Sequence, residues 1–118
     1  MGRRVQGLRG AIDVPENSAT AILTATESLL RELTTRNGLA VQDIISAIFT
    51  VTPDLNAAFP AAAARNLGWQ QAALMCATEI PVPGSMVSIV RVLMHVYLAK
   101  EPVHVYMGRA VKLRPDLD

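Results

Sequence analysis

The segment from Cys76 to Arg91 contains the side chains best suited to chemistry in this sequence. It begins with the only cysteine, places Glu79 three residues later and ends with Arg91, which lies between Val90 and Val92. We expect a strand so rich in Val, Ile, Leu and Met to be buried on at least one face, where an unpaired cation is costly. Arg91 therefore needs an anion, which is either Glu79 or a ligand.

Further polar side chains lie at predicted strand ends and turns. They are one tyrosine and three more arginines, namely Tyr106, Arg9, Arg65 and Arg114. Arginine forks hold carboxylates and a tyrosine hydroxyl adds a donor, so one interpretation is a pocket for a small dicarboxylate. A structural network of salt bridges explains the same spacing, and an exposed arginine on an irregular strand explains Arg9 alone. The residue pattern by itself leaves these interpretations open.

The lone cysteine suggests a second kind of chemistry. Cys76 with His95 or His104 as a base would form a thiol nucleophile. Neither histidine lies in a recognisable motif, and cysteine commonly behaves as a small buried hydrophobic residue, so we favour a packing role. No second Cys or His lies at zinc-ligand spacing, and there is no Gly-rich phosphate loop. We therefore expect neither a metal nor a cofactor.

Five strands and two helices are predicted to position these residues. The strands are 5–14, 44–52, 69–77, 86–98 and 103–113. A long helix runs from a cap at Asn17 or Ser18 to the stop at Asn37-Gly38, and a short helix lies between Pro60 and Gly68. This order predicts an α+β fold in which a mixed five-stranded sheet is covered by helices on one face.

Two local patterns refine this picture. Glycines at 7 and 10 in the first strand indicate a bulge or a close approach to another group. Alternation in the fourth strand predicts one face with Arg91, Leu93, His95 and Tyr97 and an apolar face with Val90, Val92, Met94 and Val96.

Composition bounds the class of protein. With 118 residues we expect one domain, 1–118, and a 51% hydrophobic content in so small a chain predicts burial between subunits. A net charge of +1 without a basic block argues against nucleic acid as a partner. No uninterrupted apolar run is long enough for a membrane span, and we expect a cytoplasmic protein.

Four segments occur in a characteristic order. They are G-L-R-G-A at 7–11, T-P-D-L-N-A-A-F-P-A-A-A-A-R at 52–65, C-A-T-E-I-P-V-P-G at 76–84 with R-V at 91–92, and H-V-Y-M-G-R-A-V-K-L-R-P-D-L at 104–117. In these segments, which span nearly the whole chain, the sequence resembles the small trimeric bacterial chorismate mutases of the barrel-like, non-helical class. It departs from the family pattern at Ala62, where a lysine is often found.

The resemblance implies a homotrimer whose sheets form a pseudo-α/β-barrel, with active sites at the subunit interfaces. It also implies catalytic roles for three residues. Arg91 would lie against the ether oxygen and a carboxylate of chorismate, and Glu79 would accept a hydrogen bond from the ring hydroxyl. Arg9 would bind the side-chain carboxylate together with Tyr106.

The remaining binding residues follow from the same resemblance. Cys76 would contact the same ring hydroxyl. Phe59 and Arg65 would line the pocket from the adjoining subunit, and Leu113 and Arg114 belong to the tail that partly covers it.

The implied reaction is the rearrangement of chorismate to prephenate, with no covalent intermediate, proton transfer or metal. The enzyme would hold the folded conformer and stabilise negative charge on the ether oxygen. Two alternatives remain at this stage. One is a trimeric imine or enamine deaminase of similar architecture, and the other is a non-catalytic trimer that binds a small carboxylate.

Overall fold

A computed structural model describes residues 2–114. Its strands are β1 Arg4–Asp13, β2 Ile44–Val51, β3 Ala73–Thr78, β4 Ile89–Leu98 and β5 Val105–Met107. Its helices are α1 Ala19–Asn37 and α2 Ala61–Asn66, with 3₁₀ segments at Val41–Asp43 and Gly108–Leu113. The predicted mixed sheet with one long and one short helix is confirmed. No helix within the described range is long and apolar enough to cross a membrane.

The five strands form one sheet in the order β3-β2-β4-β1-β5. The central strand β4 pairs antiparallel with β1 and with β2. The outer pairs, β1 with β5 and β2 with β3, are parallel. Both backbone edges of β4 are therefore hydrogen-bonded, which suits the most continuous apolar strand of the sequence.

Helix α1 begins and ends where its capping residues predict. The Ser18 hydroxyl accepts a hydrogen bond from the Ala21 N–H at 3.1 Å, and Gly38 takes the left-handed conformation, with φ 62°, after the last turn. Its buried positions repeat at helical spacing and include Ile22, Leu29, Leu30 and Leu33. This apolar stripe covers one face of the sheet.

Strand β4 divides its side chains between two very different surroundings. The face toward the helices is buried at Val90, Val92, Met94 and Val96, and the opposite face carries Arg91, Leu93, His95 and Tyr97. The predicted alternation is confirmed. On this second face, called here the open face, Leu93 and Tyr97 are 36% and 42% exposed, and Met75 on β3 is 62% exposed.

Gly10 allows β1 to approach α1 closely. A β-carbon at this position would lie 2.9 Å from Leu33 Cδ1 and 3.0 Å from Leu29 Cδ1. The pairing of β1 with β4 runs without interruption, so the glycine marks a close approach and not a bulge. Because neighbouring residues of a strand point to opposite faces, Arg9 projects onto the open face.

Three predicted strand ends are wrong. Residues 69–72 precede β3, because buried Trp69 donates its backbone N–H to Ala64 at the exit of α2. The fourth strand begins at Ile89, since the preceding residues form a loop. The fifth ends at Met107, because Gly108 turns the chain with φ 61° into a 3₁₀ helix. In each case the apolar residues continue beyond the last residue that is hydrogen-bonded in the sheet, so the apolar pattern predicted a strand that is too long.

Replacing Gly10 with alanine should lower the free energy of unfolding by about 1–3 kcal/mol, because the new methyl group overlaps α1 and also lies 3.0 Å from the Val105 carbonyl oxygen. Gly7→Ala is the matched control in the same strand, since the nearest atom to its added carbon is 4.0 Å away on Leu93. Urea unfolding measures both. Equal losses in the two variants would contradict the close approach.

Candidate active site

The register of the sheet brings Arg91 and Tyr106 into one transverse row on the open face. Arg91 is paired with Thr50 on one side and with Ala11 on the other. Ala11 is in turn paired with Tyr106 across the parallel β1/β5 ladder. Ala11, between them, is fully buried and packs with Ile89 and Ala110 in a small cluster that Tyr106 also contacts.

Arg91 and Glu79 form an ion pair at the end of this row. Arg91 Nε lies 3.2 Å from Glu79 Oε2, but its N–H is not aimed at that oxygen, and this buried nitrogen has no hydrogen-bond partner within the described chain. The arginine side chain as a whole is 43% exposed. Glu79 also accepts a hydrogen bond from the Thr50 hydroxyl. The acid therefore only partly satisfies the cation, which retains donors for a further anion.

Two adjoining concavities meet at Arg91. The larger, of about 540 Å³, is lined by Glu79, Arg91, the loop between β3 and β4, and residues 52–54 after β2. The smaller, of about 250 Å³, is lined by Arg91, Arg9, Tyr106 and Thr50 on the open face. Four of the predicted site residues, Arg91, Glu79, Arg9 and Tyr106, are thus brought together from four different segments. A small ligand with more than one carboxylate could contact cations in both hollows.

Arg9 is held at its backbone by His104. The Arg9 N–H donates to His104 Nδ1 at 3.0 Å, which requires that nitrogen to be unprotonated. Burial lowers the pKa of His104, and the positive charges of Arg9 and Arg114 lower it further. The Arg9 side chain is exposed and makes no ion pair within residues 2–114. Among the residues described, no carboxylate therefore occupies the Arg9 guanidinium.

The segment after β5 packs beneath Tyr106. Leu113 and Tyr106 contact a small buried cluster formed by Ala11, Ile89 and Ala110. Arg114 is half-buried, and its charge acts on His104. The end of the described chain thus lies beside the smaller hollow, which Arg9, Arg91 and Tyr106 line. Residues 115–117, the last part of the closing motif, fall outside the described residues.

Cys76, Phe59 and Arg65 are not part of this group within one chain. Cys76 is paired with Phe49 and packs against the main core on the helix side of the sheet. It shares a separate groove of about 370 Å³ with Phe59, which is 72% exposed. Arg65 is exposed on α2. The expectation that Cys76 lies beside Glu79 does not describe a single chain, because the two side chains line different concavities.

Three contributors were missed by sequence reasoning. Thr50 orients Glu79, His104 fixes the backbone of Arg9, and Asp54 binds the loop residue Ser88. Their partners lie between 29 and 95 residues away in the chain, so no local pattern indicates them. Among the described residues, no cluster of His, Cys, Asp or Glu has the composition to hold a metal ion.

Comparisons with known proteins agree on one family. A family model described as chorismate mutase type I matches residues 5–117. The chain is 45% identical to chorismate mutase AroH of Thermus thermophilus, with 97% of each chain covered. It is 37% identical to chorismate mutase AroH of Bacillus subtilis, over 96% of this chain and 92% of that protein. A solved chorismate mutase from Clostridium thermocellum is 52% identical, with a TM-score of 0.87 over 89% of this chain and 96% of that one.

Acidification should weaken the fold through His104. Its pKa is lowered from 6.5, so the unfolded chain binds more protons than the folded chain just below that pH. The stability contributed by the neutral ring is complete above about pH 6.5 and is lost as the pH falls toward the folded pKa. His104→Asn, which keeps an acceptor but does not titrate, should flatten the pH dependence of the free energy of unfolding in this range, as measured by urea denaturation.

The second histidine provides the control. His95 Nδ1 lies 3.1 Å from the Ser46 hydroxyl, which can donate or accept, so the partner of this nitrogen is not a backbone N–H. His95→Asn should leave most of the pH dependence in place. An unchanged slope in His104→Asn would show that this ring is not the group responsible.

Proposed function

The chain belongs to the type I chorismate mutase family and is an isomerase, and on that premise we propose that the two hollows at Arg91 form its half of the site that converts chorismate to prephenate. The proposal rests on Arg91, whose guanidinium is paired with Glu79 but keeps hydrogen-bond donors free for a ligand. It lies between Glu79 and Tyr106, which is in the same transverse row of the sheet. An intramolecular rearrangement needs no proton donor, so a site made of fixed charges is sufficient for it.

Arg91 is the group that acts on the bond that breaks. In the reaction the C–O ether bond breaks while a C–C bond forms within the same molecule, and negative charge develops on the ether oxygen. A cation already fixed by a sheet and by an ion pair stabilises that charge without reorganising. The guanidinium donors not aimed at Glu79 bind the ether oxygen and an adjacent carboxylate.

Glu79 acts on the opposite side of the substrate. Thr50 donates to one carboxylate oxygen and Arg91 lies against the same oxygen, at 3.2 Å. The other oxygen can accept from the ring hydroxyl of chorismate and favours the positive character that the ring gains as the ether bond breaks. The acid thus orients both the cation and the substrate.

Arg9 and Tyr106 bind the side-chain carboxylate. They line the smaller hollow together, and the Arg9 guanidinium has no internal carboxylate partner in the described chain. Binding both ends of the molecule restricts it to the folded conformer in which the reacting carbons meet. Leu113 and Arg114 lie beside this end and cover it.

We also propose that three chains assemble and that each site is shared by two of them. The open face carries exposed apolar side chains, such as Leu93, Tyr97 and Met75, which a neighbouring chain would bury. Phe59 and Cys76 line a groove separate from Arg91, and Arg65 is exposed on α2, so these three residues would complete the site of the adjoining chain. The cytoplasmic location expected from the sequence stays a prediction.

Purified protein mixed with chorismate alone should produce prephenate, and the loss of chorismate absorbance measures the reaction.

Arg91→Ala should lower kcat by at least about a hundredfold, as loss of one donor to a developing oxyanion does. The same absorbance assay measures the variant. Arg91→Lys is the control, because it keeps a charge but not the planar fork, and it should recover only part of the loss. Near-normal turnover by Arg91→Ala would remove this residue from the reaction.

Two inactive chains should complement each other if the site is shared. Arg65→Ala and Arg91→Ala should each be impaired as pure assemblies. When the two are unfolded and refolded together in equal amounts, about a quarter of the interfaces combine two intact halves, so about a quarter of the wild-type activity should return. Sedimentation checks the oligomeric state. Full activity of Arg65→Ala alone, or no recovery in the mixture, would contradict the shared site.

A further inference from the structure

Ser88 has an unusual backbone for its residue type. Its φ is 59°, and it is the only residue other than glycine with a positive φ in the range 2–114. The left-handed conformation costs a residue with a β-carbon about 1–2 kcal/mol, and such strain persists only where its surroundings enforce it. Ser88 lies three residues before Arg91, immediately before β4 begins.

The carboxylate of Asp54 holds Ser88 in this conformation. Asp54 Oδ1 accepts from the Ser88 backbone N–H at 3.2 Å, and Oδ2 accepts from the Ser88 hydroxyl at 2.8 Å. Both bonds require the Ser88 backbone N–H and side chain to point toward Asp54, and so they favour this backbone conformation. Burial opposes ionisation of Asp54, but hydrogen bonds from Thr52 and Ser88 outweigh it and lower the pKa of this carboxyl, so it is charged at neutral pH.

The residues on either side of this contact are anchored to two strands. The Ser88 carbonyl accepts from the Val14 N–H at 2.8 Å, next to the end of β1. The Thr52 N–H donates to the Ile89 carbonyl, and the Ile89 N–H donates to the Thr52 hydroxyl oxygen, both at 3.1 Å. These bonds fix the backbone at the start of β4. The direction of the loop that precedes β4 is therefore set by the backbone conformation of Ser88, where the loop meets the sheet.

The contact lies between the two functional parts of the larger concavity. Upstream of Ser88, the loop residues from Ile80 to Val87 supply most of the wall, and several are exposed, including Ile80 at 81% and Val82 at 57%. Downstream, Arg91 supplies the charge. The hydrogen bonds of the loop tip are local, from Ser85 to Val82. The loop returns to the sheet through Met86, which packs against the buried cluster, and Val87, whose carbonyl accepts from Arg109. The backbone direction at Ser88 therefore helps to set where the wall lies relative to Arg91.

We propose that Asp54 is a positioning residue for the reaction, because it holds Ser88 in the left-handed conformation and so sets the loop wall against Arg91. The inference rests on the proposed function, since it concerns the geometry of the same site. Asp54 also lines the larger concavity, but both of its carboxylate oxygens accept from Ser88, so its action is through that residue. A shift of about 1 Å in such a wall is enough to slow a reaction that depends on holding one conformer.

Glycine at position 88 provides the test, because glycine adopts a positive φ without strain. Asp54→Ala should lower kcat/KM by about tenfold or more, whereas Ser88→Gly alone should stay within about threefold of the wild type. In the double variant, Asp54→Ala with Ser88→Gly, most of the loss should be recovered, because the backbone no longer needs the carboxylate to hold it. The assay is chorismate conversion at a temperature well below thermal unfolding.

Ser88→Ala is the matched control. It removes the same hydroxyl as Ser88→Gly but keeps the β-carbon, so it should not rescue Asp54→Ala. If Asp54→Ala does not fold, Asp54→Asn takes its place, since the amide keeps one acceptor and should give a smaller loss that glycine also rescues. Rescue by glycine but not by alanine separates a conformational role from any effect of the Asp54 charge on a dianionic substrate, which neither substitution would restore.

The outcomes distinguish the two proposals. A wild-type protein that does not convert chorismate overturns the proposed function itself. An active wild type with an equally active Asp54→Ala variant overturns the positioning role alone, even if the variant melts at a lower temperature. Equal rescue by glycine and alanine, or no rescue by either, also overturns it, because the left-handed backbone would then not be what the carboxylate maintains.

Discussion

The Arg91 guanidinium in the middle strand of the sheet has an ion-pair partner but lacks a hydrogen-bond acceptor for its Nε within the described chain, and the proposed site depends on this unmet need. Arg91 has Glu79 against its Nε, but the N–H is not aligned with the acid. The pair sits at the junction of two hollows and not in the core. A fully hydrogen-bonded internal pair would leave the cation with little to offer a substrate. Incomplete pairing keeps it fixed and still available.

Small residues around Arg91 are as important as charged ones. Gly10 lets β1 lie close to α1, so the helix and the sheet pack without a gap behind the site. Ala11, on the other face, lies between Arg91 and Tyr106 in the strand register and is buried against Ile89 and Ala110. A larger side chain at either position would overlap these neighbours and move the strand. The positions of the proposed catalytic groups thus depend on neighbours that have no chemistry of their own.

The residues predicted for the site fall into two separate groups within one chain, and this division is consistent with the rest of the surface. Charged groups cluster on the open face, whereas Phe59 and Cys76 share a groove on the other side of the sheet. Exposed apolar residues on the open face would be costly for an isolated chain in water. Assembly of several chains would bury that surface and bring the two halves together, so stability and catalysis would share one interface.

Local patterns in the sequence were enough to predict the helices, the strands and the two faces of β4. Ser18 and Gly38 bound α1 because capping is a property of a few adjacent residues, and alternation along β4 placed Arg91 and His95 together because strand geometry repeats every two residues. Only the tertiary structure decided that Thr50 and Ala11 flank Arg91, that Cys76 faces the core, and that His104 and Asp54 brace Arg9 and Ser88. These relations depend on strand register and on loops that meet across long stretches of chain, which no local periodicity encodes.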